Sequence, residues 1–107
     1  MIDDIYEVKF KDTHKLNVFM SETIKSSVSK LFSASGVKVL INLEDIHFLD
    51  SSGFAAFLSL SKEASKTGGQ IIFCNISESA MRLFKVLQLH QPLLLVGSRE
   101  EALRSFR

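Results

Sequence analysis

Two adjacent hydroxyls, in Asp50-Ser51-Ser52-Gly53, are the groups of this chain best placed to do chemistry. They stand between an apolar strand, Val37 to Leu43, and a helix expected to begin near Phe54. The first turn of a helix leaves backbone amides unpaired and carries partial positive charge, so it suits an anion. A phosphoryl group transferred to a serine there would bring roughly −1.5 to −2 charges at pH 7 and meet free amides. One serine is expected to cap the helix, a contribution of about 1 kcal/mol, while the other is presented for modification. Gly53 has no side chain and lets another backbone approach closely. The tetrapeptide also reads as a plain helix cap with no further role.

Other chemistries find less support. No Gly-x-Ser-x-Gly elbow surrounds Ser51, and His14, His47 and His90 are scattered, so no base can be assigned for a serine nucleophile. A lone cysteine and isolated histidines show no metal-ligand spacing. Cys74 cannot form an intramolecular disulfide. Within Ile71-Ile72-Phe73-Cys74 it reads as a buried, inert thiol of a reducing compartment. There is no Gly-x-x-x-x-Gly-Lys-Ser/Thr loop, and Gly68-Gly69 leads into a strand, as a turn does. Lys9, Lys11 and Lys15 form a small basic cluster without interleaved aromatics, which is a solvated edge and not a nucleic-acid platform. No enzymatic activity, metal or cofactor is expected.

The elements that must position the two serines follow from periodicity. The chain has 107 residues, 46% apolar and 23% charged, which supports one soluble domain spanning residues 1–107. A net charge of +1 gives no global attraction to nucleic acid or membrane. No secretory leader is visible, and no apolar run approaches the roughly 20 residues that cross a bilayer, so a cytoplasmic protein is expected. Nine Phe, one Tyr and no Trp predict a Phe-rich core.

Ile5 to Phe10 alternates as a strand with one wet face, and Lys11 to Asn17 reads as a turn or irregular edge. Ser21 is placed to cap a first helix with a stripe of Ile24, Val28, Leu31 and Phe32, ended by Gly36. Val37 to Leu43 is a strand covered on both faces. The second helix carries Phe54, Phe57, Leu58 and Ala64 and closes at Gly68-Gly69. Gln70 to Cys74 is the next strand. Ser77 caps a third helix with Ala80, Leu83, Phe84 and Leu87 inward, and Pro92 precedes a short strand, Leu93 to Val96. Ser98 and Glu101 form a capping box for the last helix, in which Ala102, Leu103 and Phe106 face inward.

Strands alternating with helices imply parallel crossovers and an α/β layer architecture. In such sheets, sites gather at the carboxyl ends of the strands, which is where Asp50 to Gly53 lies. The local helix start and the global topology thus single out the same loop.

At these residues the chain resembles a known family. Leu40-Ile41-Asn42-Leu43-Glu44-Asp45-Ile46-His47-Phe48-Leu49-Asp50-Ser51-Ser52-Gly53 is similar to the signature of the STAS domain of bacterial anti-sigma factor antagonists. The similarity continues through Gly68 to Ser77 and Met81 to Leu89. It implies a single small STAS-like α/β domain, with a mixed, mostly parallel sheet and about four helices packed on one side. It also implies binding to an anti-sigma factor that is itself a serine kinase, so that the sigma factor is released for transcription. Ser51 would be the residue phosphorylated, with loss of binding, which leaves Ser52 as the helix cap, and a metal-dependent serine phosphatase would reverse the modification. The kinase would bring the ATP and Mg²⁺.

The N-terminal region departs from the family pattern. The best placement sets His14-Lys15-Leu16-Asn17 over a Gly-Glu-x-Asp motif, so a cation (Lys15) and a neutral amide (Asn17) replace two carboxylates beside the acceptor loop. That exchange would either remove contacts to a kinase or let Lys15 stabilise a phosphoserine. The candidate partner surface is therefore Lys15, Asn17, Asp50, Ser51, Ser52 and Gly53. The N-terminus is about one strand short of the pattern, which leaves a sheet edge less covered and makes a monomer or weak dimer the expectation. The alternative reading is a non-phosphorylated STAS accessory subunit of a membrane lipid-transport ATPase, with the same loop as a fixed docking surface.

Overall fold

Val39, Leu40 and Ile41 are closed to solvent because their strand has a neighbour on each edge and a helical layer on each face. In this computed structural model, which describes residues 4–11, 15–86 and 93–106, the strand is β3 (Lys38–Asn42). It lies between β1 (Ile5–Val8) and β5 (Gln70–Cys74), and β6 (Leu95–Val96) completes a sheet of order β1-β3-β5-β6. All three pairings are parallel, with Tyr6 opposite Val39, Val39 opposite Ile71, and Phe73 opposite Leu95. The mixed character implied by the resemblance is thus absent among the described residues, since helical crossovers return each strand in the same direction. The expected strand Leu93 to Val96 pairs only at Leu95 and Val96.

Side-chain alternation along β3 and β5 builds two cores. Val39, Ile41, Ile71 and Phe73 face α1 (Val18–Leu31), α2 (Ser51–Lys66) and α3 (Glu78–Val86), where Val28, Phe32, Phe57, Leu60 and Phe84 fill the layer. Leu40, Ile72 and Cys74 face the opposite way and pack with Ile5 and Ala102, the latter from α4 (Arg99–Ser105). The helices therefore lie on both sides of the sheet and not on one. The reason is that Leu40, Ile72 and Cys74 would otherwise leave an apolar face in water.

Phenylalanines dominate the larger core as composition predicts. Phe57 and Phe73 stack with ring centroids 4.6 Å apart, and Phe54 meets Phe84 edge-on at the same separation. The first-helix stripe holds, with Val28 and Phe32 buried and Ile24 and Leu31 half-buried. In α3, Ala80 and Phe84 point inward one turn apart, but Leu83 is exposed, since it lies off that inward stripe. Leu87, His90, Pro92 and His14 lie outside the described residues.

Two short strands escape sequence periodicity. β2 (Lys15–Leu16) and β4 (Phe48–Leu49) form a separate parallel pair, with Lys15 opposite Phe48 and Leu16 opposite Leu49. Lys11 to Asn17 is thus not simply a turn. At the other end of the chain Ser98 caps α4, its Oγ accepting from the Glu101 amide at 3.1 Å. The Glu101 carboxylate accepts from the Gly97 amide instead of that of Ser98, at 3.0 Å. Half of the expected capping box is present. No helix among the described residues is long and apolar enough to cross a membrane.

Candidate functional site

The β2–β4 pair ends in two matching residues, Asn17 and Asp50, each in extended conformation and each the N-cap of the helix that follows. The Asn17 Oδ1 accepts from the Met20 amide at 3.1 Å. Asp50 Oδ1 accepts from the amides of Ser52 at 2.9 Å and Gly53 at 3.2 Å, and from the Ser52 hydroxyl. A parallel pair of strands thus delivers the N-termini of α1 and α2 to one place, which sets Lys15 and Asn17 beside Asp50 to Gly53. This is the juxtaposition that the resemblance implies.

Both caps differ from the sequence expectation. Ser21 does not cap α1; Asn17 does, and Ser21 lies in the first turn with only 3% of its surface accessible. Ser52 does not cap α2; Asp50 does, and the helix begins at Ser51, three residues earlier than Phe54. Asp and Asn cap as well as serine, and each stands immediately before the helical segment. That position was the signal available in sequence. The two displaced serines instead meet each other, with their hydroxyls sharing a hydrogen bond of 3.2 Å across the α1–α2 junction.

Ser51, the first residue of α2, is exposed, while Ser52 is half-buried and Gly53 buried. The two serines thus divide as acceptor candidate and anchor. The Ser52 hydroxyl holds the Asp50 carboxyl below its usual range, helped by the Gly53 and Ser52 amides against slight desolvation. The carboxylate is ionised, multiply bonded and a poor base. A second correction follows: the amides expected to be free for a phosphate already serve Asp50.

Apolar side chains flank the loop on the solvent side. Phe48 is 53% accessible, and Val18 and Phe19, just after the Asn17 cap, are 52% and 80% accessible. On α3, which packs against β4, Leu83 and Val86 are also exposed. Beneath the loop, the Phe54–Phe84 contact fixes α3 to the first turn of α2.

A second polar cluster sits at the carboxyl ends of β1, β3 and β5, facing α4. Arg99 donates to both oxygens of Glu7, at 2.9 and 3.0 Å through Nε. Asn42, 3% accessible, donates to Glu7 at 3.2 Å and accepts from the Asn75 amide group at 3.1 Å and the Glu44 backbone at 3.0 Å. Burial pushes the Glu7 carboxyl up, but the bonds from Asn42 and Arg99, with the charges of Arg99 and Lys9, outweigh it and hold the group below its ordinary value. Among the described residues no buried side-chain polar atom lacks a partner, so this cluster fastens the fold and leaves nothing for a ligand. Nor does any group of three or more His, Cys, Asp or Glu among them suit a metal ion. Cys74 is buried, with its thiol pushed up to about 11 by desolvation and by the charge of Glu7.

The model of the STAS domain family matches residues 3–102 of the chain. An anti-sigma-B factor antagonist of Bacillus subtilis is 28% identical over 75 residues, covering 70% of this chain and 68% of the relative. An anti-sigma-factor antagonist (STAS) domain protein from Planctomyces limnophilus superposes with a TM-score of 0.84 at 21% identity, over 97% of this chain and 91% of that one. The Bacillus cell fate determinant SpoIIAA, in its phosphorylated form, superposes with a TM-score of 0.67 at 21% identity, over 100% of this chain and 96% of the other. At such identities the two structures establish the shared fold.

Proposed function

We propose that this chain, which belongs to the STAS domain family, is an anti-sigma factor antagonist switched by phosphorylation of Ser51. The observation that carries the reading is the exposed Ser51 hydroxyl, at the first position of a helix whose cap holds the adjacent Ser52 inward. The relative from Bacillus subtilis, itself an anti-sigma-B factor antagonist, supports the choice of partner class.

In this reading the unphosphorylated loop docks on an anti-sigma factor that is also a serine kinase. Asp50 and Ser52 fix the loop, Gly53 admits close approach, and Lys15 and Asn17 contribute the rim. The kinase supplies ATP, Mg²⁺ and the base, since the Asp50 carboxylate is already committed to three donors. A phosphate on Ser51 adds roughly two negative charges to a surface that must lose water on docking, so binding weakens. A serine phosphatase restores the binder, and a cytoplasmic location follows from this reading.

The test is incubation with the cognate kinase and ATP, followed by phosphosite mapping and binding measurements. Phosphate on Ser51, constitutive binding by Ser51→Ala and weakened binding by Ser51→Asp are expected. Phosphate elsewhere would overturn the acceptor assignment. Native co-purification with a membrane transport ATPase, and with no kinase, would overturn the partner.

A further inference from the structure

We propose that Asp50 is a positioning residue for the phosphate: by holding the Ser52 and Gly53 amides of the first turn of α2, it turns a phosphoryl group on Ser51 outward into the docking surface. This inference rests on Ser51 as the acceptor.

A serine phosphate at the start of a helix ordinarily turns back onto the free amides, where the helix dipole and hydrogen bonds neutralise part of its charge. Here the Ser52 amide and hydroxyl point to Asp50 Oδ1, and the Gly53 amide is shared between that oxygen at 3.2 Å and the Asp50 carbonyl at 3.0 Å. Ser52 is in turn tied to the buried Ser21 of α1, so the first turn cannot simply rotate to offer its donors elsewhere. A phosphate seeking those amides would have to displace a carboxylate of like charge from three hydrogen bonds. Turning outward avoids that.

The charges around the junction make Asp50 the group that matters. Neither α1 nor α2 has an acidic residue in its first turn. From the packed neighbours, Glu22 and Lys25 lie on α1 beyond its first turn, Lys15 lies on β2, His47 immediately precedes β4, and Glu78, Arg82 and Lys85 lie on α3. Asp50 is thus the carboxylate adjoining the acceptor, and its field raises the cost of the phosphate's second ionisation. Phosphorylation then changes the charge and shape of the surface near Phe48 while the helix start stays as it was. The charge then faces the partner, with no share taken by the Ser52 and Gly53 amides.

The test uses full-length protein with phosphoserine installed at position 51 during translation, so it does not depend on any kinase. Asp50→Asn is the informative variant, because asparagine still caps a helix but carries no charge. In the native sequence, phosphorylation should leave the Ser52 and Gly53 amide resonances nearly unmoved. In Asp50→Asn, where only a neutral amide oxygen competes for them and no like charge opposes the phosphate, the phosphate should capture them, with downfield shifts that follow its titration. Its second pKa, read by ³¹P resonance, should fall by about half a unit or more, the scale of removing one charge at contact distance in water. Large, phosphate-linked shifts of both amides in the native sequence would overturn the proposal, as would an unchanged phosphate pKa in the variant. Failure of a kinase to modify Ser51 would overturn the acceptor assignment but not these measurements.

Discussion

The hydroxyls of Ser21 and Ser52 meet at 3.2 Å, joining the first turns of two helices whose caps come from adjacent strands. Ser21 is buried, so removing its partner leaves a polar group out of reach of water. Ser21→Ala should cost about 1 kcal/mol and Ser52→Ala somewhat more, since Ser52 also donates to Asp50. Urea unfolding of both single variants and the double variant checks this. Strictly additive losses would mean that the two hydroxyls do not interact.

Asp50 should make the acid limb of stability steeper. Its carboxyl titrates below its unfolded value in the native state, so it stabilises fully above that unfolded value. The contribution is lost as pH falls through the lower, folded pKa. Asp50→Asn should keep most of the melting temperature at pH 7 while flattening the decline that sets in below about pH 4, where the unfolded carboxylate begins to take up protons. Asp50→Ala should lower the melting temperature throughout. An unchanged acid limb in Asp50→Asn would show that the cap hydrogen bonds are equally strong for the neutral acid.

The contrast between what was legible and what was not is physical. Val37 to Leu43 and Gln70 to Cys74 could be placed because continuous apolar runs have one stable home, the middle of a covered sheet. The Asp50 to Gly53 loop could be placed because an Asp-Ser-Ser-Gly turn between strand and helix has few alternatives. β2 and β4 were not legible, since two-residue strands carry no periodicity and form only when the rest of the fold brings them together. The occupied state of the first-turn amides was hidden for a related reason. Asp50, Ser51 and Ser52 all qualify as caps by residue type, and only the backbone turn decides which one is used.

Gly69 should tolerate no side chain. A Cβ there would meet the Val37 carbonyl oxygen at 2.5 Å and the Phe32 ring at 3.2 Å. The backbone cannot retreat, because the Gly69 amide donates to Ala64 at 2.8 Å and the next residue bonds to Val37. Gly69→Ala should therefore destabilise by about 1–3 kcal/mol, as overpacking does. Gly36→Ala is the control: open space surrounds it, so only its φ of +72° opposes a side chain, at about 1 kcal/mol. Equal denaturant midpoints for the two variants would contradict the close approach at Gly69.

The Glu7–Arg99 pair should govern access to Cys74. The thiol lies under α4 with Ala102, fully buried, and its pKa near 11 leaves little thiolate at neutral pH even when it is reached. Labelling by a thiol reagent therefore needs α4 to open. Arg99→Ala removes three contacts to Glu7 and leaves that carboxylate with Asn42 and the distant Lys9. Local opening should become easier by about 1–3 kcal/mol, a roughly five- to 150-fold faster labelling rate. Arg99→Lys should fall between, because a single ammonium cannot reproduce the paired contact of a guanidinium. Acid should act in the same direction. Glu7 titrates below its ordinary value when folded, so its hold on Arg99 is complete above the unfolded value and fades as pH drops through the folded one. Hydrogen exchange of α4 amides, which needs no thiolate, should then report faster opening below about pH 4. Labelling of Cys74 at an unchanged rate in Arg99→Ala would show that apolar packing alone holds α4 in place.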